Sequence, residues 1–174
     1  DMAHAEETIG RYIDLIESAQ KRALVSLFLQ RFREKVLPRL SQLRRSVIHG
    51  DGNDYNLLVS MDKKAPRVVA GLIDFGDVVA SHTVFDPAIA TAYVMLDKDD
   101  PIAAAAQLVA GYYSALPLTD LELELLPTLI AIRLCTSVSM SAYQQAQEPQ
   151  NNYLSVSEKP AWELLERLAD IPPI

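Results

Sequence analysis

Hydrophobic and polar positions change their period along this chain, and each change marks an expected element. Over residues 3–19 the apolar residues Ile9, Tyr12, Ile13 and Ile16 recur at helical spacing, with Glu6, Glu7 and Asp14 on other faces. Over residues 21–43 a second stripe of Leu24, Leu27, Phe28, Phe32, Val36, Leu37 and Leu40 predicts one or two more helices, kinked or divided at Pro38. The pattern then shortens. Residues 46–48 and 57–60 predict short strands, and residues 61–66, with Asp62, Lys63 and Lys64, a polar hairpin turn. Residues 67–73 are so apolar that they are expected to form a strand buried on both faces. A loop is expected over residues 78–85.

The carboxy-terminal half returns to helical spacing. Asp86-Pro87 reads as an N-cap followed by Pro at the first helical position, opening a helix over 88–96. After a polar break at 97–100, Pro101 opens an Ala-rich helix reaching about Tyr113. A long helix is expected from near Asp120 to about Gln147. Its middle is apolar or small apart from Arg133, so it predicts a buried central helix in which Arg133 needs a partner, a structural ion pair rather than a ligand contact. Residues 148–160 read as a loop, and 160–168, with Trp162, Leu164, Leu165 and Leu168, as a last amphipathic helix. The fold class is α+β, mostly helical, with a small β-hairpin.

The chemistry concentrates where the strands are. Asp51 follows the first strand, Asn56 comes five residues later, and Asp74 follows the apolar run at the start of Asp-Phe-Gly. An Asp, an Asn and a second Asp in this order suit phosphoryl transfer. Asp51 accepts the proton of an attacking hydroxyl, while the Asn56 amide oxygen and the Asp74 carboxylate are hard oxygen ligands for Mg²⁺. The expected hairpin brings Asn56 and Asp74 together. Taken alone, Asp51 could equally be an ordinary turn residue among Gly and Asn. His49 is either a metal ligand or base, or a brace for the loop backbone. Gly50 and Gly52 leave the backbone free to turn and bare the Asp51 carboxylate. Asp54 either orients substrate or decorates the loop, and Asp77 is assigned to the acceptor amine or to support of the site.

Those residues, His49-Gly50-Asp51, four residues, Asn56, then Ile73-Asp74-Phe75-Gly76-Asp77, resemble the motif of the aminoglycoside phosphotransferase-like small-molecule kinases, which include choline and hydroxylysine kinases and share the catalytic lobe of protein kinases. The wording is most similar to the hydroxylysine kinase branch, sometimes fused to a class III aminotransferase, and is detailed from about Val47 to Ala90. The resemblance implies a protein-kinase-like carboxy-terminal lobe, a Mg²⁺ cofactor with ATP or GTP as phosphoryl donor, and a small-molecule hydroxyl acceptor, with an amine-bearing metabolite suited to the acidic site. It also implies that His49 is the brace and that Asp86 braces the catalytic loop besides capping its helix. Such kinases further need a Gly-rich loop and a strand Lys over the phosphates. Neither occurs in this sequence. Residues 1–174 are therefore expected to be one domain, the carboxy-terminal lobe of a longer protein whose amino-terminal lobe lies elsewhere, with weak or absent turnover alone.

Composition narrows the partners. A net charge of −7 argues against nucleic acid. Eight of the sixteen basic residues fall between Lys21 and Arg45, which reads as a solvated helix face rather than an anion site. The single Cys135 cannot form an internal disulfide, which together with the lack of a signal peptide or an uninterrupted apolar run predicts a cytoplasmic setting and no membrane partner. Two rival functions remain: a metal-dependent hydrolase built on His49, Asp51, Asp74 and His82, hard to assemble with only His4 as a further histidine, and a non-catalytic kinase-like regulatory module.

Overall fold

The computed structural model describes residues 2–60, 68–148 and 158–171. The expected hairpin turn at 61–66 lies outside these residues, as does most of the loop expected at 148–160. Among the described residues, six α-helices and four short strands follow in the order α1 (Ala5–Tyr12), α2 (Ala19–Lys35), β1 (Arg45–Ile48), β2 (Leu57–Val59), β3 (Val69–Leu72), β4 (Val79–His82), α3 (Phe85–Val94), α4 (Pro101–Ala115), α5 (Asp120–Gln147) and α6 (Glu158–Ala169).

The centre is α5. It packs against α1, α2, α3 and α6, and its Leu125, Leu129, Ile132 and Cys135 are fully buried. Burying each large side chain of this kind is worth about 1.5–3 kcal/mol. The helix is long and apolar enough on composition to cross a membrane, but here its neighbours cover more than half of that surface. A capping box starts it: the Thr119 hydroxyl accepts from the Glu122 amide and the Glu122 carboxylate accepts from the Thr119 amide. Glu122, wholly buried, also receives both prongs of the Arg44 guanidinium, at 2.9 and 2.5 Å. This pair ties the residue before β1 to the start of the central helix.

Several expectations need correction. The helix expected over 3–19 breaks at residues 16–18, because Ser18 is extended and its side chain accepts from the Lys21 amide, so it caps α2 instead of continuing α1. The buried face of α2 is Val25, Phe28, Leu29 and Phe32, while Leu27 is exposed, so the stripe is rotated from the expected one. Residues 78–85 are not a loop. Val79–His82 forms β4, antiparallel to β1 in the register Arg45↔His82 to Ile48↔Val79. An isolated β1 would leave its backbone groups unpaired, and the β-branched Val78-Val79 segment supplies the partner. The run expected to be buried on both faces is instead β3, paired only with β2, and Val68, Val69 and Ile73 are exposed. An all-apolar run signals burial in a central parallel strand, and this is a two-stranded antiparallel ribbon. The long helix from Asp120 to Gln147 and the division at Pro38, where a 3-10 turn (Leu37–Gln42) follows α2, are as expected. The final helix starts at Glu158, two residues before the expected Pro160.

Burial pushes the Glu122 carboxyl up, but the Arg44 and Thr119 hydrogen bonds outweigh it and hold it below the ordinary carboxylate range. The stabilisation is therefore full above the unfolded pKa of about 4.3 and is lost as the pH falls through the lower folded value. Glu122→Gln should cost about 3 kcal/mol at neutral pH, near the low end for breaking a buried pair, since the Arg44 side chain keeps 40% exposure. Urea unfolding at pH 7 and below pH 4 checks this: the deficit is large at the first and shrinks at the second.

Candidate active site

The site is the loop between β1 and β2 together with the turn after β3. The last β1 residue, Ile48, is buried, and the chain then leaves the sheet at His49. Asp86, in the first turn of α3, accepts from two consecutive loop amides, those of His49 at 3.3 Å and Gly50 at 3.0 Å. The cap expected of Asp86 is not made: Val84 occupies the N-cap position, with no side-chain capping bond, and the Asp86 carboxylate turns to the loop instead. His49 is nearly buried and fully engaged. Its Nδ1 lies 3.3 Å from the Asp51 amide and accepts from it, so Nε2 carries the proton and donates to the Ile73 carbonyl at 3.0 Å. Its ring edge rests on Phe75, with the centroids 5.2 Å apart.

Gly50 and Gly52 differ. Gly50 adopts φ +81°, and a Cβ there would stand 2.5 Å from the Asp77 carbonyl oxygen. At Gly52 a Cβ would meet only the Ala90 methyl, at an ordinary 3.5 Å. Only Gly50 therefore requires glycine.

Asp51 is held at both oxygens. The Asn56 amide donates to its Oδ2 and to its carbonyl, each at 2.9 Å, and the Asn53 amide donates to Oδ2 at 3.0 Å. Arg133, from α5, stands 3.6 Å from Oδ1. The partner that Arg133 needed is thus the candidate base itself. The lone charge in an apolar helix was visible in the sequence, but which carboxylate it meets depends on how α5 docks. Asn53 was not singled out at all. Its Oδ1 accepts from the Tyr55 and Asn56 amides, capping the 3-10 turn Asp54–Asn56 that delivers Asn56 to the site. The signal was present as an Asx residue in a Gly/Asn/Asp-rich turn, whose side chain can bond the backbone two residues on.

Asn56 and the Asp74 segment are joined through the backbone, as the Ile73 amide donates to the Asn56 carbonyl at 3.0 Å. Asp74 adopts the left-handed conformation, φ 62°, and its exposed carboxylate accepts from the Gly76 amide at 3.4 Å. Because Asn56 Nδ2 is committed to Asp51, its amide oxygen is left as an acceptor. The two residues present one amide oxygen and one carboxylate, a donor set suited to Mg²⁺ completed by phosphate oxygens. Among the described residues no three His, Cys, Asp or Glu gather as a metal cage. Asp54 and Asp77 are exposed beside the loop. His82 does not join the site: it ends β4, packs on Phe85 at 4.9 Å between ring centroids, and burial, followed by the nearby Arg45 charge, lowers its pKa. The hydrolase constellation is thus not assembled by these residues.

Two comparisons bear on this geometry. The profile of the phosphotransferase enzyme family matches residues 3–122. A hydroxylysine kinase of Mus musculus is 34% identical over 168 residues, covering 94% of this chain and 45% of its own length. Hydroxylysine kinases of Bos taurus and Danio rerio are 31% and 29% identical at similar coverage. The chain therefore spans about 45% of the length of the curated relatives it matches.

Gly50→Ala should destabilise the protein by about 2 kcal/mol or more, from a strained φ and a backbone clash, whereas Gly52→Ala should change stability by less than about 1 kcal/mol. Chemical denaturation of the two variants checks the contrast, and equal losses would contradict it.

Proposed function

We propose a role for a chain that belongs to the phosphotransferase enzyme family: it supplies the catalytic base and the Mg²⁺ ligands of a kinase that phosphorylates the hydroxyl of a small amino-bearing metabolite, with hydroxylysine the leading acceptor. The name of the matched relatives supports the acceptor. The observation that carries the reading is the Asp51 carboxylate fixed by Asn53, Asn56 and Arg133 beside the Asn56–Asp74 pair.

In the proposed reaction the acceptor hydroxyl approaches Asp51. Its oxygen forms a bond to the γ-phosphorus of ATP or GTP, the bond to the bridging oxygen of the leaving nucleoside diphosphate breaks, and the hydroxyl proton passes to Asp51 Oδ1 or Oδ2. Asn53 and Asn56 keep the carboxylate in one orientation, so little reorganisation remains at the moment of transfer. Asn56 and Asp74 would hold Mg²⁺, which would supply charge neutralisation at the phosphates. Asp86 and His49 act on the loop backbone and not on the reactants.

The chain is read as the carboxy-terminal lobe of the enzyme. An amino-terminal lobe carrying the Gly-rich loop and the phosphate-binding Lys completes the nucleotide site, and an aminotransferase domain is proposed as a further neighbour in the same polypeptide. The exposed apolar ribbon formed by β2 and β3, with Leu58, Val59, Val68 and Val69 facing solvent, supports a covering partner. Residues 1–174 alone should turn over weakly or not at all.

The test is phosphoryl transfer by the full-length protein to a panel of hydroxy amino acids, amino alcohols and aminoglycosides, with Asp51→Ala as control. The expected outcome is transfer to one acceptor, reduced about a hundredfold or more in Asp51→Ala. Nucleotide binding without turnover on any acceptor would favour a regulatory module, and absence of Mg-nucleotide binding would remove the kinase reading.

A further inference from the structure

Arg133 is the one charged residue on α5 beyond Glu124, and its hydrogen bonding is incomplete. Nη2 donates to the Tyr93 hydroxyl oxygen at 2.5 Å and stands 3.6 Å from Asp51 Oδ1, an ion pair longer than a hydrogen bond. Nε is buried and has no partner. An orphaned buried donor costs about 1–3 kcal/mol. The ion pair with Asp51 Oδ1 engages Nη2 only, so Asp51 leaves the Nε side of the guanidinium without a partner. A guanidinium presents its donors as a planar fork, and the group that matches a fork is a carboxylate.

A cavity of about 120 Å³ adjoins Arg133, walled also by Gly50, Asp77, Val79, Ile89 and Thr136. It abuts the loop residue next to Asp51. Its volume holds several water-sized groups, enough for a head group of about five heavy atoms. Asp77, an exposed residue, lines the same cavity. A cationic and an anionic residue lining one small cavity beside the loop of the candidate base match a head group carrying both charges.

We infer that Arg133 and Asp77 form a head-group site for a zwitterionic α-amino acid, Arg133 taking the carboxylate and Asp77 the ammonium, so that the acceptor's hydroxyl is presented to Asp51 from its side chain. This rests on the phosphotransferase reading and deepens it: amino alcohols and aminoglycosides offer no carboxylate to Arg133. Arg133 then determines specificity, in addition to lying beside Asp51.

The experiment uses the full-length protein, Mg-ATP, and three acceptors: hydroxylysine, its decarboxylated amino alcohol and its α-deaminated hydroxy acid. Wild type should prefer hydroxylysine over either analogue by about tenfold or more in kcat/KM. Arg133→Gln should raise KM for hydroxylysine about ten- to a hundredfold, and KM for the decarboxylated acceptor by less than about threefold, with nucleotide KM unchanged. Asp77→Asn, a change at an exposed position, should raise KM for hydroxylysine and spare the deaminated acid. Arg133→Lys should recover only part of the loss, because it keeps the charge without the fork. A loss confined to kcat and equal across all acceptors would overturn the inference and leave Arg133 as a positioning residue for Asp51. Equal use of the decarboxylated acceptor by wild type would overturn it too. Failure of wild type on every acceptor would instead remove the phosphotransferase reading beneath it.

Discussion

One carboxylate organises the candidate site. Asp86 sits in the first turn of α3, a buried helix packed on α5, and accepts from the amides of His49 and Gly50. Those two amides would otherwise be unpaired at the point where β1 gives way to the loop. The bonds fix the loop to the helical core, and the other contacts follow from that anchor. His49 can then donate to Ile73 and accept from Asp51. Gly50 is pressed so closely on Asp77 that its positive φ admits no side chain. Ile73 in turn reaches Asn56, and Asn56 reaches Asp51. A short chain of charge-assisted and backbone hydrogen bonds thus converts helix packing into carboxylate position.

The core and the site divide the work differently. The core is apolar and closed around α5, and the pair of Arg44 with the buried Glu122 ties it to the strand region. The site tolerates what a core would not: an orphaned guanidinium nitrogen, a left-handed Asp74, and an apolar ribbon open to solvent. Each is costly in a free-standing fold. Each is also a feature that a nucleotide, an acceptor or a covering lobe would use, which is the pattern expected where local rules yield to function.

The helices were largely legible because their signals are local. Asp120 to Gln147 and the break at Asp97 to Asp100 follow from periodicity, Pro and caps. The Asp51, Asn56 and Asp74 trio was legible as a spaced motif. What failed depended on long-range pairing. Residues 79–82 read as a loop because nothing local says that they pair with residues 45–48. Residues 68–73 read as doubly buried because burial was inferred from composition, without knowing that β3 has a single neighbour. The cap that a short-range rule assigns to Asp86 of Asp-Pro is not made, whereas its carboxylate accepts from amides 36 and 37 residues back along the chain, the loop contact that the resemblance implied. Arg133 was legible as a charge needing a carboxylate or carbonyl partner, but only the docking of α5 identifies that partner as Asp51.

The account rests on Asp86 aiming Asp51 through the loop backbone, so the most direct measurement is hydroxylysine phosphorylation by full-length Asp86→Ala alongside its nucleotide affinity and unfolding midpoint. The account predicts a fall in kcat of about a hundredfold, with nucleotide affinity retained and the protein still folded at the assay temperature. A folded Asp86→Ala variant with kcat near that of wild type would contradict it, because the loop would then hold Asp51 in place without its anchor.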